Sequence, residues 1–413
     1  MSARDVAFHV VRRVFEEGAY ADRAFRATAD DASLDERDRA FAMQLAYGTV
    51  QRVRTLDHAI ETLGRRPVRK LDVPVLTALR LGAYQLAHMA GVPAHAAANE
   101  TVELVRRHGR ERAVPFANAV VRRLAAGLHD LLASLPETTP AEAALRHSYP
   151  DWIAETFWRE HGREAALALL ETQNEPPPTV VRVAARAMPF DAGEPEPDVP
   201  GAVRVDRIRD EWLADGLVWP QSRASQLAGL AVGAREGERV LDLCAAPGGK
   251  TTQLAEIADE VVAVEKHPGR ARELEENVAR MRLRNVRVVN ADARQLPTDL
   301  RGFDRVLVDA PCSGLDVLAS RPDLRWRAEP LPELQRRLLE VAAERLRPGG
   351  SLTYAVCTIH RLENEDVVDA LGLEPDDLGA EWPDYRHPTR PKFLLTLPQV
   401  HRTSGFFVAR MRP

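Results

Sequence analysis

Cysteine is scarce in this chain: Cys244, Cys312 and Cys357 are the only three among 413 residues. They are too few and too scattered for a disulfide framework, and without a Cys-x-x-Cys pair no zinc or other metal site is expected. Long apolar runs are missing as well. Nowhere do about 18 apolar residues follow one another, so no membrane span is expected. The start, Met1-Ser-Ala-Arg-Asp-Val6, is charged at once and has no signal-peptide core, which predicts a cytoplasmic protein whose free thiols can serve chemistry. Lysine is nearly absent where the charge is positive. Residues 1–130 carry 20 Lys+Arg against 16 Asp+Glu, and Lys70 is the only lysine among them. The formal net charge of −5 over the whole chain argues against indiscriminate coating of nucleic acid. Arginines clustered as in Arg65-Arg66-Pro-Val-Arg69-Lys70 nevertheless suit bidentate phosphate contacts. A merely solvated helix surface gives the same count, so the clustering is what favours a partner.

The length allows two or three domains. Residues 1–130 show helical periodicity almost throughout, with Val6, Val10, Val11, Val14 and Phe15 on one apolar stripe and Phe41, Leu45 and Val50 on another. Pro74 suits the first turn of a helix carrying Leu76, Leu79, Leu81 and Leu86. Gly91-Val-Pro93 stops it, and further helices are expected near 96–105 and 116–124. An all-α bundle results. Residues 131–236 are mixed, with Asn174-Glu-Pro-Pro-Pro178 forcing an extended path and 192–201 reading as a loop with little to bury. This stretch is expected to be a small α/β adaptor. From 237 to 413 strands and helices alternate, which predicts a mostly parallel sheet. Its later strands fall at 261–265, 286–290, 305–309 and 351–356. A helix through Leu334, Leu338, Val341 and Leu346 is expected to stop at Pro348-Gly-Gly350, and an antiparallel hairpin to close the chain at 393–397 and 405–410.

The opening strand of this last part runs into a glycine turn, Asp242-Leu-Cys-Ala-Ala-Pro-Gly-Gly-Lys-Thr251. Two familiar nucleotide motifs fail on spacing. A P-loop needs a glycine where Cys244 stands, and the dinucleotide fingerprint Gly-x-Gly-x-x-Gly is absent. What remains is a glycine loop with Asp242 near the strand end, suited to a ligand carrying a cationic amino-acid moiety, or else an ordinary tight turn. In an open α/β sheet, ligands bind at the carboxyl ends of the strands, and acidic residues recur there: Asp242, Glu265, Asp292 and Asp309. Glu265 stands where a carboxylate accepts ribose hydroxyls, and Asp292 can accept from an adenine amino group. Each alone reads equally as a helix cap. Cys312, three residues after Asp309, and Cys357, beyond the fifth strand, should open on one cleft. Taken singly, each cysteine also reads as a buried core residue. Two thiols beside a carboxyl group are the equipment for methylation at carbon 5 of a pyrimidine. A thiolate adding to carbon 6 makes carbon 5 nucleophilic, and a base must later remove the carbon 5 proton.

These motifs carry a resemblance. Asp242-Leu-Cys-Ala-Ala-Pro-Gly-Gly-Lys250, Asp309-Ala-Pro-Cys-Ser-Gly314, Tyr354-Ala-Val-Cys-Thr358 and Glu363-Asn-Glu365 resemble the RNA 5-methylcytosine methyltransferases. Leu79-Arg-Leu-Gly-Ala-Tyr-Gln-Leu86, Asn99-Glu100-Thr-Val-Glu-Leu104 and Phe116-Ala-Asn-Ala-Val120 resemble the NusB-like helical domain. With Gly405-Phe-Phe407 at the end, the chain is similar to the Sun/Fmu (RsmB) branch. The resemblance implies a NusB-like RNA-binding bundle over 1–130, an adaptor over 131–236, and a Rossmann-like class I methyltransferase domain over 237–413 acting on a cytosine of 16S ribosomal RNA. It also implies S-adenosyl-L-methionine, held by Cys244, Ala245, Ala246, Pro247, Gly248, Gly249, Lys250, Glu265, Asp292 and Asp309. By the same resemblance Cys357 is the nucleophile, Cys312 assists product release, and Asp309 contacts the base. Ser222, Asp316, Ala319-Ser320 and Arg282 depart from the family pattern; Ala319-Ser320 stand where basic residues are expected. Transfer RNA as substrate, or a non-catalytic RNA-binding assembly factor, are the alternatives.

Overall fold

A computed structural model describes residues 1–413. The chain forms two compact units: Met1–Glu175 with Leu318–Arg327, and Pro176–Val317 with Ala328–Pro413.

The first unit is all helical: α1 Ala3–Glu16, α2 Ala21–Ala32, α3 Glu36–Gly64, α4 Val73–His88, α5 Ala94–Arg107, α6 Val114–Ala133, α7 Pro140–His147 and α8 Asp151–Thr172. Helix starts follow local side-chain chemistry. Ser2 and Asp5 form a capping box on α1, Asp35 accepts from the Asp38 N–H, and Thr139 and Glu142 form a second box on α7. The apolar stripes read from the sequence, with Val6, Val10, Val11, Leu45 and Val50, lie in one buried core. Small residues set how closely its helices approach. A Cβ on Gly48 of α3 would lie 2.0 Å from the Tyr84 ring of α4, and one on Gly82 would lie 2.2 Å from the Thr101 hydroxyl of α5.

Two expectations about domain limits change. The adaptor over 131–236 is not a body of its own, because 131–175 belongs to the helical unit and the remainder to the α/β unit. Residues 318–327, expected inside the catalytic domain, belong to the helical unit. They do so because Arg325 is wholly buried there. Its guanidinium donates to Asn174 Oδ1 (2.7 Å), to the carbonyls of Gln173 (2.7 Å), Ser148 (3.2 Å) and Gln51 (3.4 Å), and stands 3.9 Å from the Tyr149 ring centroid. Burial pushes Arg325 down to about 10, so it remains a cation at neutral pH. Removing it takes a donor from four buried acceptors, of which the Gln173 carbonyl keeps the Gln51 amide at 3.2 Å. Arg325→Ala is therefore expected to destabilise the chain by about 3 kcal/mol or more. Urea unfolding followed through Trp326, whose indole N–H bonds the Val50 carbonyl at 2.8 Å, measures this; an unchanged midpoint would count against the buried network as a stabilising element.

The second unit opens with a small antiparallel sheet of β1 Val180–Val183, β2 Glu194–Pro195, β3 Ala202–Arg204 and β4 Val218–Pro220, in order β2-β3-β1-β4. The stretch 192–201, expected as a loop with little to bury, pairs through β2 and buries Val199 completely. After α9 Asp210–Ala214 and α10 Arg223–Leu230 comes the main sheet: β5 Arg239–Asp242, α11 Gly249–Ala255, β6 Glu260–Glu265, α12 Pro268–Arg280, β7 Val286–Asn290, β8 Phe303–Asp309, α13 Pro332–Ala343, β9 Leu346–Val356, α14 Glu365–Leu371, β10 Glu374–Pro375, β11 Leu394–Thr396 and β12 Phe406–Arg412. The strand order is β10-β12-β9-β8-β5-β6-β7, parallel from β9 to β7, with β12 antiparallel against β9 and β11 pairing β12. The helix expected to reach Leu346 ends at Ala343, and Pro348 to Gly350 instead form an irregularity in the pairing of β9 with β8. The strand order reverses between β5 and β8, so the crevice of this sheet opens beyond Asp242 and Asp309.

Candidate active site

Beyond β5 the chain continues its pairing for a few residues, Leu243 N–H bonding the Leu307 carbonyl and Ala245 N–H the Val264 carbonyl, both at 3.0 Å. It then turns at Gly248, whose φ of 111° suits glycine. The room beside the two glycines is filled by protein: a Cβ on Gly248 would lie 2.6 Å from Leu274, and one on Gly249 2.9 Å from the Trp219 indole nitrogen. Their smallness thus serves packing against Leu274 and Trp219. Asp242 is buried, accepts the Thr251 hydroxyl at 2.7 Å, and has its second oxygen without a partner. Burial, reinforced by the charge of Asp309, pushes it up to about 6, against the opposing Thr251 bond and Lys250 charge. The orphan acceptor fits the cationic ammonium group of an amino-acid moiety, which is what the loop was expected to receive.

Lys250 does not point at phosphate-binding backbone. Its ammonium bonds Asp309 at 2.7 Å and stands 4.8 Å from the centroid of the Phe406 ring. Phe406, within the Gly405-Phe-Phe407 motif at the start of β12, is thereby part of the cleft wall. Cys244 is only half-buried, yet burial first and then the charges of Asp242, Asp309 and Glu265 push its thiol far up. It is no nucleophile.

Cys312 follows β8 and Cys357 follows β9, and the parallel pairing of Asp309 with Ala355 brings them together. Their sulfurs lie 3.4 Å apart. In this pair Cys357 is held below the ordinary thiol value, chiefly by the hydrogen bond from Cys312 and also by the Lys250 charge, against burial and Asp309. Cys312 is pushed up by the same bond, by burial, and by the charges of Cys357 and Glu363. At this distance one sulfur can donate to the other, and the directions of the two shifts favour Cys312 as the donor and Cys357 as the acceptor.

Glu265 and Asp292 end the neighbouring strands. Glu265 is buried, accepts the His267 N–H at 2.8 Å, and lies 3.6 Å from Arg270. Asp292 is gripped by Arg294 at 3.0 and 2.7 Å and by Lys266 at 3.2 Å, contacts that hold it well below the usual carboxylate range. Asn290 ties the two ends by donating to the Glu265 carbonyl at 2.7 Å. Asp242, Lys250, Asp309, Cys312 and Cys357 thus form one cluster at the switch point, with Glu265 and Asp292 at the adjoining strand ends.

Several participants escape a sequence reading. Glu363 is wholly buried under the Cys312 loop and Ser313 is buried with it. Asp316 is buried with its N–H 3.4 Å from the Cys357 carbonyl, and burial pushes its carboxyl well up. A Cβ on Gly405 would lie 2.2 Å from Asp316 Cγ, so a carboxyl group at 316 goes with a glycine at 405. Only the repeated acidic and glycine positions in the quoted motifs hinted at this.

Comparison with known proteins agrees with this architecture. A family model described as 16S rRNA methyltransferase RsmB/F matches residues 230–412, and the NusB family matches residues 1–126. A Synechocystis protein described as a probable ribosomal RNA small subunit methyltransferase B is 30% identical, with 100% of this chain and 99% of that protein covered. A putative methyltransferase of Mycobacterium tuberculosis is 35% identical, with 99% and 96% covered. Among solved structures, PH0851 has the same fold at a TM-score of 0.80 and 21% identity, covering 100% of this chain and 99% of its own. NSun6 from Pyrococcus horikoshii, determined with SFG, has a TM-score of 0.56 and 22% identity over 64% of this chain and 98% of its own. No helix of the chain is long and apolar enough to cross a membrane.

Proposed function

The chain belongs to the ribosomal RNA small subunit methyltransferase B family, whose members methylate 16S ribosomal RNA, and from that premise we propose that it methylates carbon 5 of a cytosine through a covalent bond from Cys357. The observation that carries this reading is the 3.4 Å pair of sulfurs beside Asp309 and Lys250. Cys357, held as thiolate, adds to carbon 6 of the ring and pushes electron density to carbon 5. Asp309 accepts from the exocyclic amine through one oxygen, and the proton that its other oxygen shares with the Lys250 ammonium moves towards the ring nitrogen as negative charge builds there. S-adenosyl-L-methionine supplies the methyl group when bound. Residues 244–250 with Asp242, Glu265, Asp292 and Asp309 would hold it, the unpartnered Asp242 oxygen taking its ammonium group. Cys312 then accepts the proton from carbon 5, the electron pair of that C–H bond reforms the ring double bond, and the Cys357 sulfur leaves.

Bisulfite sequencing of total RNA from a strain lacking the chain tests the assignment. Loss of one 5-methylcytosine in 16S ribosomal RNA, restored by the intact chain, is the expected result. Loss confined to transfer RNA would move the substrate, and a strain that keeps every 5-methylcytosine would leave only the assembly-factor reading.

A further inference from the structure

We propose that Glu363 is a positioning residue that divides the work between the two thiols, holding Cys312 as the protonated partner of a Cys357 thiolate. This rests on the reading of the pair as a methyl-transfer site. Glu363 ends the short turn Arg361–Glu363 that follows β9 and is wholly screened from solvent. Every group against its carboxylate is a donor. Ser313 N–H lies 3.0 and 3.3 Å from its two oxygens, Leu331 N–H 3.0 Å, and the Gln335 amide 2.9 Å, with the Ser313 hydroxyl bonded as well. No cation is among them, so the charge is not neutralised where it sits. A carboxylate, an acceptor without a proton of its own, matches such a set.

That charge is fastened beside one cysteine. Ser313 directly follows Cys312, and Gln335 also donates to the Pro311 carbonyl at 2.9 Å, so the residues on either side of Cys312 are tied to the Glu363 anchor. The same turn reaches the second strand: the Tyr354 hydroxyl donates to the Glu363 carbonyl at 2.6 Å, and Asn364 donates to the Thr358 carbonyl at 3.1 Å. Facing the pair from the other elements are Tyr354 on the Cys312 side and Asp309, Lys250 and Asp316 on the Cys357 side. A negative charge disfavours a second one at the nearer sulfur. The sulfur pair is thus bracketed, with the Glu363 carboxylate behind Cys312 and the Lys250 ammonium acting on Cys357. Glu363, with no cation beside it, opposes ionisation of Cys312, whereas at Cys357 the opposing charge of Asp309 is partly offset by the Lys250 ammonium bonded to it.

The test needs no RNA. The full chain is treated with iodoacetamide at neutral pH, and the alkylation rate of each cysteine is read by mass spectrometry. In the native chain Cys357 is modified faster than Cys312. In Glu363→Gln, with donor binding and thermal midpoint checking the fold, this preference is expected to fall about tenfold, the equivalent of one pKa unit between the sulfurs. Glu363→Asp keeps the charge and is expected to keep the preference while methyl transfer slows. A folded Glu363→Gln chain with the native preference overturns the proposal. Should that variant not fold, Gln335→Ala decides, because it removes a neutral bond and leaves the charge. A retained preference supports the charge as the cause; a lost one makes loop bonding the cause and overturns the proposal. A failed covalent mechanism would show separately, as turnover by Cys357→Ala.

Discussion

A Cys357→Ala chain loses methyl transfer to ribosomal RNA, by about 10⁴-fold or more, while still binding the methyl donor. Carbon 5 of cytosine is a poor nucleophile, and the only device in the cleft that can activate it is a sulfur anion adding to carbon 6. Cys244 cannot substitute. Burial and three carboxylates hold its thiol protonated far above neutrality. Cys312 is relieved of the bond and charge of the missing sulfur, but its own burial and the Glu363 charge still oppose its ionisation, so it is not expected to substitute. Residues 244–249 and Glu265 are not among the groups that act on the Cys357 sulfur, so donor affinity serves as the internal control. In the native chain the same groups set the pH dependence. The Cys357 value is depressed, so the thiolate exists above that depressed value and activity falls only as the pH drops through it. The acid limb of kcat/KM should therefore lie below that of an ordinary cysteine. Transfer of label from the donor to 16S ribosomal RNA, measured across pH, tests both statements. Normal turnover by Cys357→Ala would end the covalent mechanism.

Much of this architecture is legible in the sequence because it rests on short-range patterns. The apolar stripes of the bundle, the alternation of strands and helices, and the acidic groups at strand ends all follow from periodicity and from where an α/β sheet opens. The proximity of two cysteines 45 positions apart also follows, since consecutive parallel strands end on one edge. Other features depend on contacts that no local pattern encodes. Arg325 looks like any charged residue after a proline, yet four acceptors in the helical unit claim it and carry 318–327 away from the α/β unit. Leu346 continues an apolar helix pattern, but the carbonyl before it already pairs with Phe303, so the strand begins there. Gly248 and Gly249 signal closeness without saying to what; Leu274 and Trp219 answer that. Glu363 sits in a motif whose acidic residues are plain to see, but its burial and its hold on the Cys312 loop appear only when the strands are assembled.

Cys312→Ala should have the opposite signature to Cys357→Ala: RNA that remains covalently bound to the chain and survives denaturing electrophoresis. The two largest influences that raise Cys312, after its own burial is set aside, are the hydrogen bond to Cys357 and the charge on that sulfur. Both end when the Cys357 sulfur bonds carbon 6, because the sulfur then carries no negative charge. Cys312 can at that stage ionise more readily, releasing its proton to solvent through a half-exposed cleft. Glu363, still present, keeps the resulting thiolate strongly basic. The group that was a thiol donor in the free chain thus becomes the base once the methyl group is on carbon 5. Without it nothing at 3.4 Å from Cys357 takes the carbon 5 proton, and release is expected to slow about 10²- to 10⁴-fold, the usual scale of a lost general base. The substitution also removes the bond that depresses Cys357, so the adduct should accumulate faster as pH rises, whereas an adduct limited only by release would form at a pH-independent rate. The Cys312→Ala, Cys357→Ala double variant should trap nothing, which identifies the bonded sulfur. Rapid turnover by Cys312→Ala with no trapped RNA would assign proton removal to a group other than this thiol.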